Sequence, residues 1–133
     1  MADNPVDITL QGSSPLVENI LKLKKLNYVK KDEDDRLCIK TKTFEVLDED
    51  IIITYLDERH PMPQLISGDI ENRARIRMIA KALQKYPIPC NDLANNADPY
   101  VFGEHITLVD LIVMEHTDNE EYKRRIFRAI HAA

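Results

Sequence analysis

Ser13 and Ser14 could supply a catalytic hydroxyl group. A serine becomes a nucleophile when a neighbouring base takes its proton, and no basic partner follows these serines at a recognisable spacing. Ser14 precedes Pro15, and a hydroxyl residue followed by proline is typical of a helix N-cap and the first helical position. We therefore interpret Ser14 as a helix cap, with catalysis as the alternative.

The consecutive acids Asp48, Glu49 and Asp50 could hold a metal ion or act as a general base. Adjacent residues point in different directions around a helix, whereas acids near a helix N-terminus stabilise it through the helix dipole. The cluster therefore favours the start of a helix, and no metal site is predicted. The histidines do not indicate a metal site either, because no two of them have the i, i+4 spacing of a ligand pair. They are His60, His105, His116 and His131.

A row of basic residues lies along one face of a predicted helix, because its members recur every four residues: Arg73, Arg77, Lys81 and Lys85. This basic face could bind an acidic partner or nucleic acid, and it could equally be a solvated surface. The whole chain has 18 basic and 23 acidic residues and a formal net charge of −5. Nucleic-acid-binding domains usually carry a net basic footprint, so direct nucleic-acid binding is not expected.

The composition is that of a globular protein. The chain has 133 residues, of which 44% are hydrophobic, enough for one domain or for two small subdomains. No apolar run approaches the roughly 20 residues that span a bilayer, and residues 1–5 do not resemble a signal peptide. Cys38 and Cys90 are far apart in the sequence, so we expect free thiols in a reducing cytoplasm.

The N-terminal half shows a mixture of strand and helix patterns. Residues 8–10 and 26–29 are predicted strands, and residues 15–25 between them have helical apolar spacing. Residues 36–47 alternate apolar and polar side chains in two short stretches, which predicts two further strands. Residues 51–56 are compatible with either a helix or a buried strand.

The C-terminal half is predicted to be helical. After a proline segment, Asp69 and its neighbours cap a helix that extends to Tyr86. Thr107 and Asp110 have the spacing of a capping box before a helix that is apolar on nearly all sides and therefore central. A last helix begins at Glu120, with a predicted apolar stripe of Tyr122, Ile126, Phe127 and Ile130. The order of elements predicts an α+β half followed by an all-α half.

Several segments resemble one known fold family. Residues 46–61 resemble the end of the thioredoxin-like domain of glutathione-transferase-fold proteins. The string from Tyr55 to Pro61 is especially similar to the bacterial stringent starvation protein A family, and residues 98–102 and 107–110 resemble its second half. The resemblance implies a reduced thioredoxin-like domain over residues 1–62, a shortened all-α domain over residues 63–133, and a soluble protein that commonly dimerises through the first long helix.

The resemblance also implies a vestigial ligand site. Ser13 and Ser14 lie where a transferase places its activating hydroxyl, and Asp48-Glu49 takes the place of the Glu-Ser pair that binds glutathione. Glu49 sets a negative charge where an anionic ligand would bind. The family's cis-proline loop has no counterpart, because no proline lies between Tyr28 and Asp50. These departures predict a protein that is not an enzyme and has no cofactor, with a small glutathione transferase or thiol-dependent reductase as the alternative.

A partner-binding role is implied by the proline segment. His60, Pro61, Met62 and Pro63 match the segment through which stringent starvation protein A contacts the transcription machinery, with Met62 in place of a central histidine. The resemblance therefore implies a non-catalytic transcription regulator that binds RNA polymerase or an associated factor. The alternatives left open are a homodimer and a heterodimer with a full-length relative.

Overall fold

The computed structural model describes residues 8–31, 36–43 and 45–132. Residues 1–5, on which the expectation of no signal peptide rests, and Phe44, within the predicted strands of 36–47, lie outside the described residues. The chain forms two units, one ending at Pro63 and one beginning at Gln64. That division falls one residue after the predicted domain boundary.

The N-terminal unit is built on a mixed four-stranded sheet with strand order β2-β1-β3-β4. Strand β1 pairs in parallel with β2 and antiparallel with β3, and β3 pairs antiparallel with β4. Helix α1 makes the crossover that two parallel strands require. The elements in chain order are β1 (Ile8–Gln11), α1 (Pro15–Leu23), β2 (Tyr28–Lys31), β3 (Cys38–Lys40), β4 (Glu45–Leu47) and α2 (Glu49–Arg59).

The turn from β1 to α1 depends on Gly12. Its φ is +80°, and a Cβ added there would lie 2.9 Å from the Leu37 Cα, so both the conformation and the space exclude a larger residue. Ser14 then caps α1 by accepting a hydrogen bond from the Val17 amide at 3.1 Å. The apolar residues of α1 are all buried: Leu16, Val17, Ile20, Leu21 and Leu23.

Residues 51–56, which were compatible with helix or strand, belong to helix α2. Ile52, Ile53 and Leu56 are buried, whereas Ile51 is 56% exposed. A helix places these three residues on one face and turns Ile51 away from it. A strand would instead place Ile51 and Ile53 on the same face. Glu49 and Asp50 occupy its first turn, where acids favour a helix.

In the described residues 64–132 of the C-terminal unit the regular elements are four helices: α3 (Ile70–Lys85), α4 (Cys90–Asn95), α5 (Leu108–His116) and α6 (Glu120–Ile130). Asp69 caps α3 by accepting from the Asn72 amide at 2.8 Å. Helix α5 is central, as predicted, because every residue from Leu108 to Val113 is buried. The prediction of an α+β half followed by an all-α half is confirmed. No helix in the described part of the chain is long and apolar enough to cross a membrane.

One predicted core residue is on the surface. Tyr122, Ile126 and Ile130 are buried, but Phe127 is 57% exposed. The buried residues are spaced four apart on one narrow row of α6, and Phe127 lies about 100° further around the helix from Ile126. The predicted stripe was therefore too wide by one residue.

Candidate functional site

A buried lysine holds the proline segment in the N-terminal unit. Lys24 follows α1 as its C-cap, and its side chain has no exposed surface. Its Nζ contacts the Asp57 Oδ1 at 2.9 Å, and it donates to the carbonyl oxygens of His60 at 2.6 Å and Pro63 at 2.7 Å. The ammonium donors are therefore directed at one carboxylate and two backbone oxygens. We call this arrangement the Lys24 anchor.

The Lys24 anchor presents the loop between its two carbonyl contacts to solvent. Pro61 is exposed and Met62 is 80% exposed, while the carbonyl groups of His60 and Pro63 are tied to the protein interior. The peptide bond between Met62 and Pro63 is cis. The predicted partner-binding residues thus form one loop, His60–Pro63, whose two ends are fixed and whose middle is accessible.

The loop surface carries no charge at neutral pH. Burial lowers the pKa of His60, and the positive charges of Arg59 and Lys24 lower it further, from an ordinary value of 6.5. The imidazole is therefore neutral at pH 7. An uncharged imidazole, two proline rings and a methionine thioether make the loop mainly apolar.

The Lys24 anchor was not found by sequence reasoning. In the sequence Lys24 is one of three lysines near the end of α1, with Lys22 and Lys25, and positive charge there suits the helix dipole. Its position does separate it from them, because Lys24 lies four residues after Ile20 and seven after Val17, on the buried face of α1. A second signal is Asp57, an acid on the apolar face of α2 that needs a partner when buried.

The predicted ligand site is only partly assembled. Ser14, rather than Ser13, meets Glu49, and its hydroxyl donates to the Glu49 Oε2 at 2.7 Å. Ser13 and Asp48 are exposed. Ser14 is 3% exposed and also accepts the Val17 amide, so its hydroxyl is occupied by capping and by the carboxylate. Among the described residues the cis peptide bonds precede Pro63 and Pro99, and neither lies between β2 and β4.

The basic face of α3 is accompanied by an apolar row. Arg77, Lys81 and Lys85 are exposed, and Arg73 is half-buried. Beside them the exposed fractions of three apolar side chains are 76% for Ile70, 67% for Met78 and 62% for Tyr86. Ala74 and Ala82, also exposed, complete a row with a spacing of four. The sequence shows the same spacing, and its apolar pattern includes Ile70, Ala74 and Met78, which the structure leaves exposed.

Thr107 and Asp110 form a capping box at the start of α5. The Thr107 amide donates to the Asp110 Oδ2 at 2.9 Å, the Val101 amide donates to Oδ1 at 3.0 Å, and the Tyr122 hydroxyl also donates to Oδ1. Burial raises the pKa of Asp110, and these donors oppose that shift. Burial and the nearby Asp110 carboxylate raise the pKa of Tyr122. This cluster is enclosed and structural.

Neither metal nor thiol chemistry is indicated in the described residues. No group of three or more His, Cys, Asp or Glu side chains is arranged to hold a metal ion in residues 8–31, 36–43 and 45–132. Cys38 and Cys90 are buried and are not in a disulfide. Burial raises the pKa of the Cys90 thiol, which makes it a poor nucleophile.

Comparison with known proteins identifies the fold. No protein-family model matches the sequence, and no curated protein matches it. A Burkholderia glutathione transferase homolog with bound glutathione is 21% identical, with a TM-score of 0.64 over 95% of this chain and 91% of that one. Glutathione transferase Omega 3C from Trametes versicolor is 18% identical, with a TM-score of 0.66 over 84% of this chain and 72% of that one. FzlA from C. crescentus is 14% identical, with a TM-score of 0.67 over 94% and 86%.

The chain has the glutathione-transferase fold. The four-stranded mixed sheet and the all-α second unit are the two halves expected for it. At these identities the glutathione-transferase fold is shown and nothing narrower, so membership of the stringent starvation protein A family stays a prediction. A glutathione-transferase fold also does not assign an activity, because one fold carries many functions and the site decides between them.

Proposed function

We propose that this protein is a non-catalytic binding module that docks on RNA polymerase or an associated transcription factor in the cytoplasm. The docking surface is centred on the loop His60–Pro63. The observation that carries the proposal is the Lys24 anchor, which fixes both ends of this loop from inside the protein. The resemblance of residues 55–63 to the stringent starvation protein A family supplies the identity of the partner.

A fixed, exposed, apolar loop is suited to recognition. Burying an ammonium group costs several kcal/mol of desolvation, and that cost is unnecessary in a segment that only connects two units. Pairing with Asp57 and the two carbonyl contacts offset this cost. The carbonyl contacts also hold the loop so that the Met62 side chain is exposed to solvent. A loop held in its bound conformation loses little entropy on binding, and a methionine side chain adapts to the partner surface.

The non-catalytic part of the proposal is supported at Ser14. Its hydroxyl is nearly inaccessible and caps α1, and Glu49 brings a carboxylate to the same place. An anionic ligand there would meet like charge, and at roughly 4 Å the repulsion is about 1 kcal/mol in water and about 4 kcal/mol near a protein surface. We expect no glutathione-dependent turnover of an aryl halide above the uncatalysed rate. Turnover that disappears in Ser14→Ala would favour the enzyme alternative.

The experiment is a binding measurement with purified bacterial RNA polymerase. The full chain is immobilised, and its affinity is compared with that of Met62→Ala. Truncating a central interface side chain typically costs 1–2 kcal/mol or more, so we expect affinity to fall about tenfold. Ile51→Ala is the matched control, because Ile51 is another exposed apolar residue of the same unit.

Two results would contradict the proposal. Absence of measurable binding by the unaltered chain would remove RNA polymerase as the partner. Equal affinities of Met62→Ala and the unaltered chain, with Ile51→Ala also unchanged, would remove the loop as the docking surface.

We further propose that α3 is a pairing surface for a second copy or a related chain. The apolar row containing Ile70, Met78 and Tyr86 supports this, because contiguous exposed apolar patches usually mark interaction sites. Sedimentation equilibrium over a range of protein concentrations tests it. We expect Met78→Glu to shift the chain toward monomer while Ile51→Glu, which adds the same charge elsewhere, does not.

Salt distinguishes the two kinds of pairing. The exposed cations Arg77 and Lys85 would face like charge across a symmetric interface, so salt should strengthen homodimerisation by screening. Pairing with an acidic relative should weaken with salt. A chain that stays monomeric alone and in a mixture with a full-length relative would contradict both forms.

A further inference from the structure

A groove in the C-terminal unit has no role in the proposed function. It lies where α5 ends and α6 begins, and its volume is about 500 Å³. Pockets for small ligands usually measure roughly 300–1,000 Å³. The residues around it are Met114, Glu115, Glu120, Lys123, Arg124 and Phe127.

The apolar part of the groove is Phe127 with Met114. Phe127 is 57% exposed although its neighbours Ile126 and Ile130 are buried. The His131 ring packs against it with centroids 4.2 Å apart, so part of the phenyl ring is supported and the rest faces outward. Met114 is half-buried. A rigid ring beside an adaptable thioether suits a flat or narrow apolar ligand.

The two basic residues of the groove, Lys123 and Arg124, differ in whether they already have an ion-pair partner. Lys123 is paired with Glu120 one turn earlier, at 3.5 Å. Arg124 is exposed, and no hydrogen bond or ion pair of its side chain occurs within residues 8–31, 36–43 and 45–132. The Arg124 guanidinium is therefore the cation of the groove that can take an anion from outside. Its planar fork matches a carboxylate in two parallel hydrogen bonds.

We propose that this groove binds a small amphipathic monocarboxylate, with the carboxylate on Arg124 and an aryl or alkyl body against Phe127 and Met114. A single negative charge fits better than a phosphate dianion, because one uncommitted guanidinium stands beside the carboxylates of Glu115 and Glu120. The body of the ligand must be apolar, because the side chains of Phe127 and Met114 offer a polar group no good hydrogen-bond partner.

The test uses 4-phenylbutyrate as the probe and 4-phenylbutanol as the neutral counterpart of the same size. Both are titrated into the full, isotope-labelled chain, and amide and methyl chemical shifts are recorded. A ligand of this size is expected to bind at roughly millimolar concentration. We expect saturable shifts at Met114 and Phe127 with phenylbutyrate, and affinity at least several-fold weaker for phenylbutanol.

Two exposed arginines of α6 provide a matched pair of variants. Arg124→Gln should weaken phenylbutyrate binding roughly tenfold, since a charge-assisted bidentate contact is lost. Arg128→Gln, one turn later and outside the lining, should leave it unchanged. Phe127→Ala should weaken both probes.

Three outcomes would overturn the proposal. The first is a titration without saturation at Met114 and Phe127. The second is equal weakening by Arg124→Gln and Arg128→Gln, which indicates attraction to the basic helix as a whole. The third is equal affinity for the acid and the alcohol.

Discussion

The N-terminal unit buries Lys24, the C-terminal unit buries Asp110, and the partners of these two side chains differ in kind. Lys24 meets an opposite charge and two carbonyl oxygens, which lie 33 to 39 residues away in the chain. Asp110 meets amide and hydroxyl donors that lie 3 to 12 residues away. The Lys24 anchor therefore positions a distant surface loop, whereas Asp110 organises the beginning of its own helix.

The two sites should also differ in how much stability is lost when one interacting group is removed. A buried ion pair that loses one partner leaves an uncompensated charge in the interior. A hydrogen-bonded carboxyl group that loses one donor keeps the others, and its proton affinity adjusts. Four changes in the chain or in pH test this contrast.

Removing Lys24 should give the largest loss of stability. Lys24→Met removes the ammonium group that pairs with the buried Asp57, so we expect the free energy of unfolding to fall by about 3–5 kcal/mol. Urea denaturation measures it. The double variant Lys24→Met/Asp57→Leu should recover much of that loss. A double variant no more stable than Lys24→Met would show that the ion pair is not what makes Lys24 important.

Removing one donor from Asp110 should cost less. Tyr122→Phe deletes the hydroxyl that donates to the Asp110 carboxyl and leaves the two amide donors in place. We expect a loss of about 1.5–3 kcal/mol in the free energy of unfolding, measured in the same way. Tyr86→Phe is the control, because Tyr86 is exposed and should change nothing. A loss as large as that of Lys24→Met would remove the contrast between the two sites.

Asp110 should also make stability depend on pH. Its pKa in the folded chain is raised above the ordinary value of 3.8, so between these two values the folded state binds more protons than the unfolded state. Its contribution is therefore fully present below 3.8 and is lost as pH rises through the raised pKa, by about 1.4 kcal/mol for each pH unit of that interval. The difference in unfolding free energy between the unaltered chain and Asp110→Asn, measured against pH, should follow this slope. A flat difference would mean that burial does not control this carboxyl group.

Met62→Ala should have the smallest effect on stability. Met62 is 80% exposed and the anchoring contacts are made by backbone oxygens of its neighbours, so the change should stay within about 0.5 kcal/mol. Thermal unfolding is sufficient to measure it. This result together with loss of RNA polymerase binding would separate the loop's recognition role from its structural support. A large loss of stability would instead show that Met62 packs as part of the support.

Features that depend on near neighbours in the chain were predictable. Helix α1 was predicted from the apolar spacing of residues 15–25, and the five apolar residues of its face are all buried. The capping relation of Thr107 and Asp110 spans one helical turn, so its pattern is visible locally. Residues 51–56 were not settled by the same reasoning, because consecutive isoleucines suit either a helix or a buried strand.

Local sequence patterns determined most of the strands and helices, the caps at Ser14, Asp69 and Thr107, the acidic balance and the likeness of residues 46–61 to one fold. Tertiary structure alone decided what the buried Lys24 contacts, which serine meets Glu49, and that Phe127 lies outside the core. Each of these depends on contacts between segments far apart in the chain or on the angle at which two helices pack. A local sequence pattern specifies neither the distant contacts nor the packing angle. Helical spacing places a side chain on one face of its own helix, but it does not specify which other segment that face contacts.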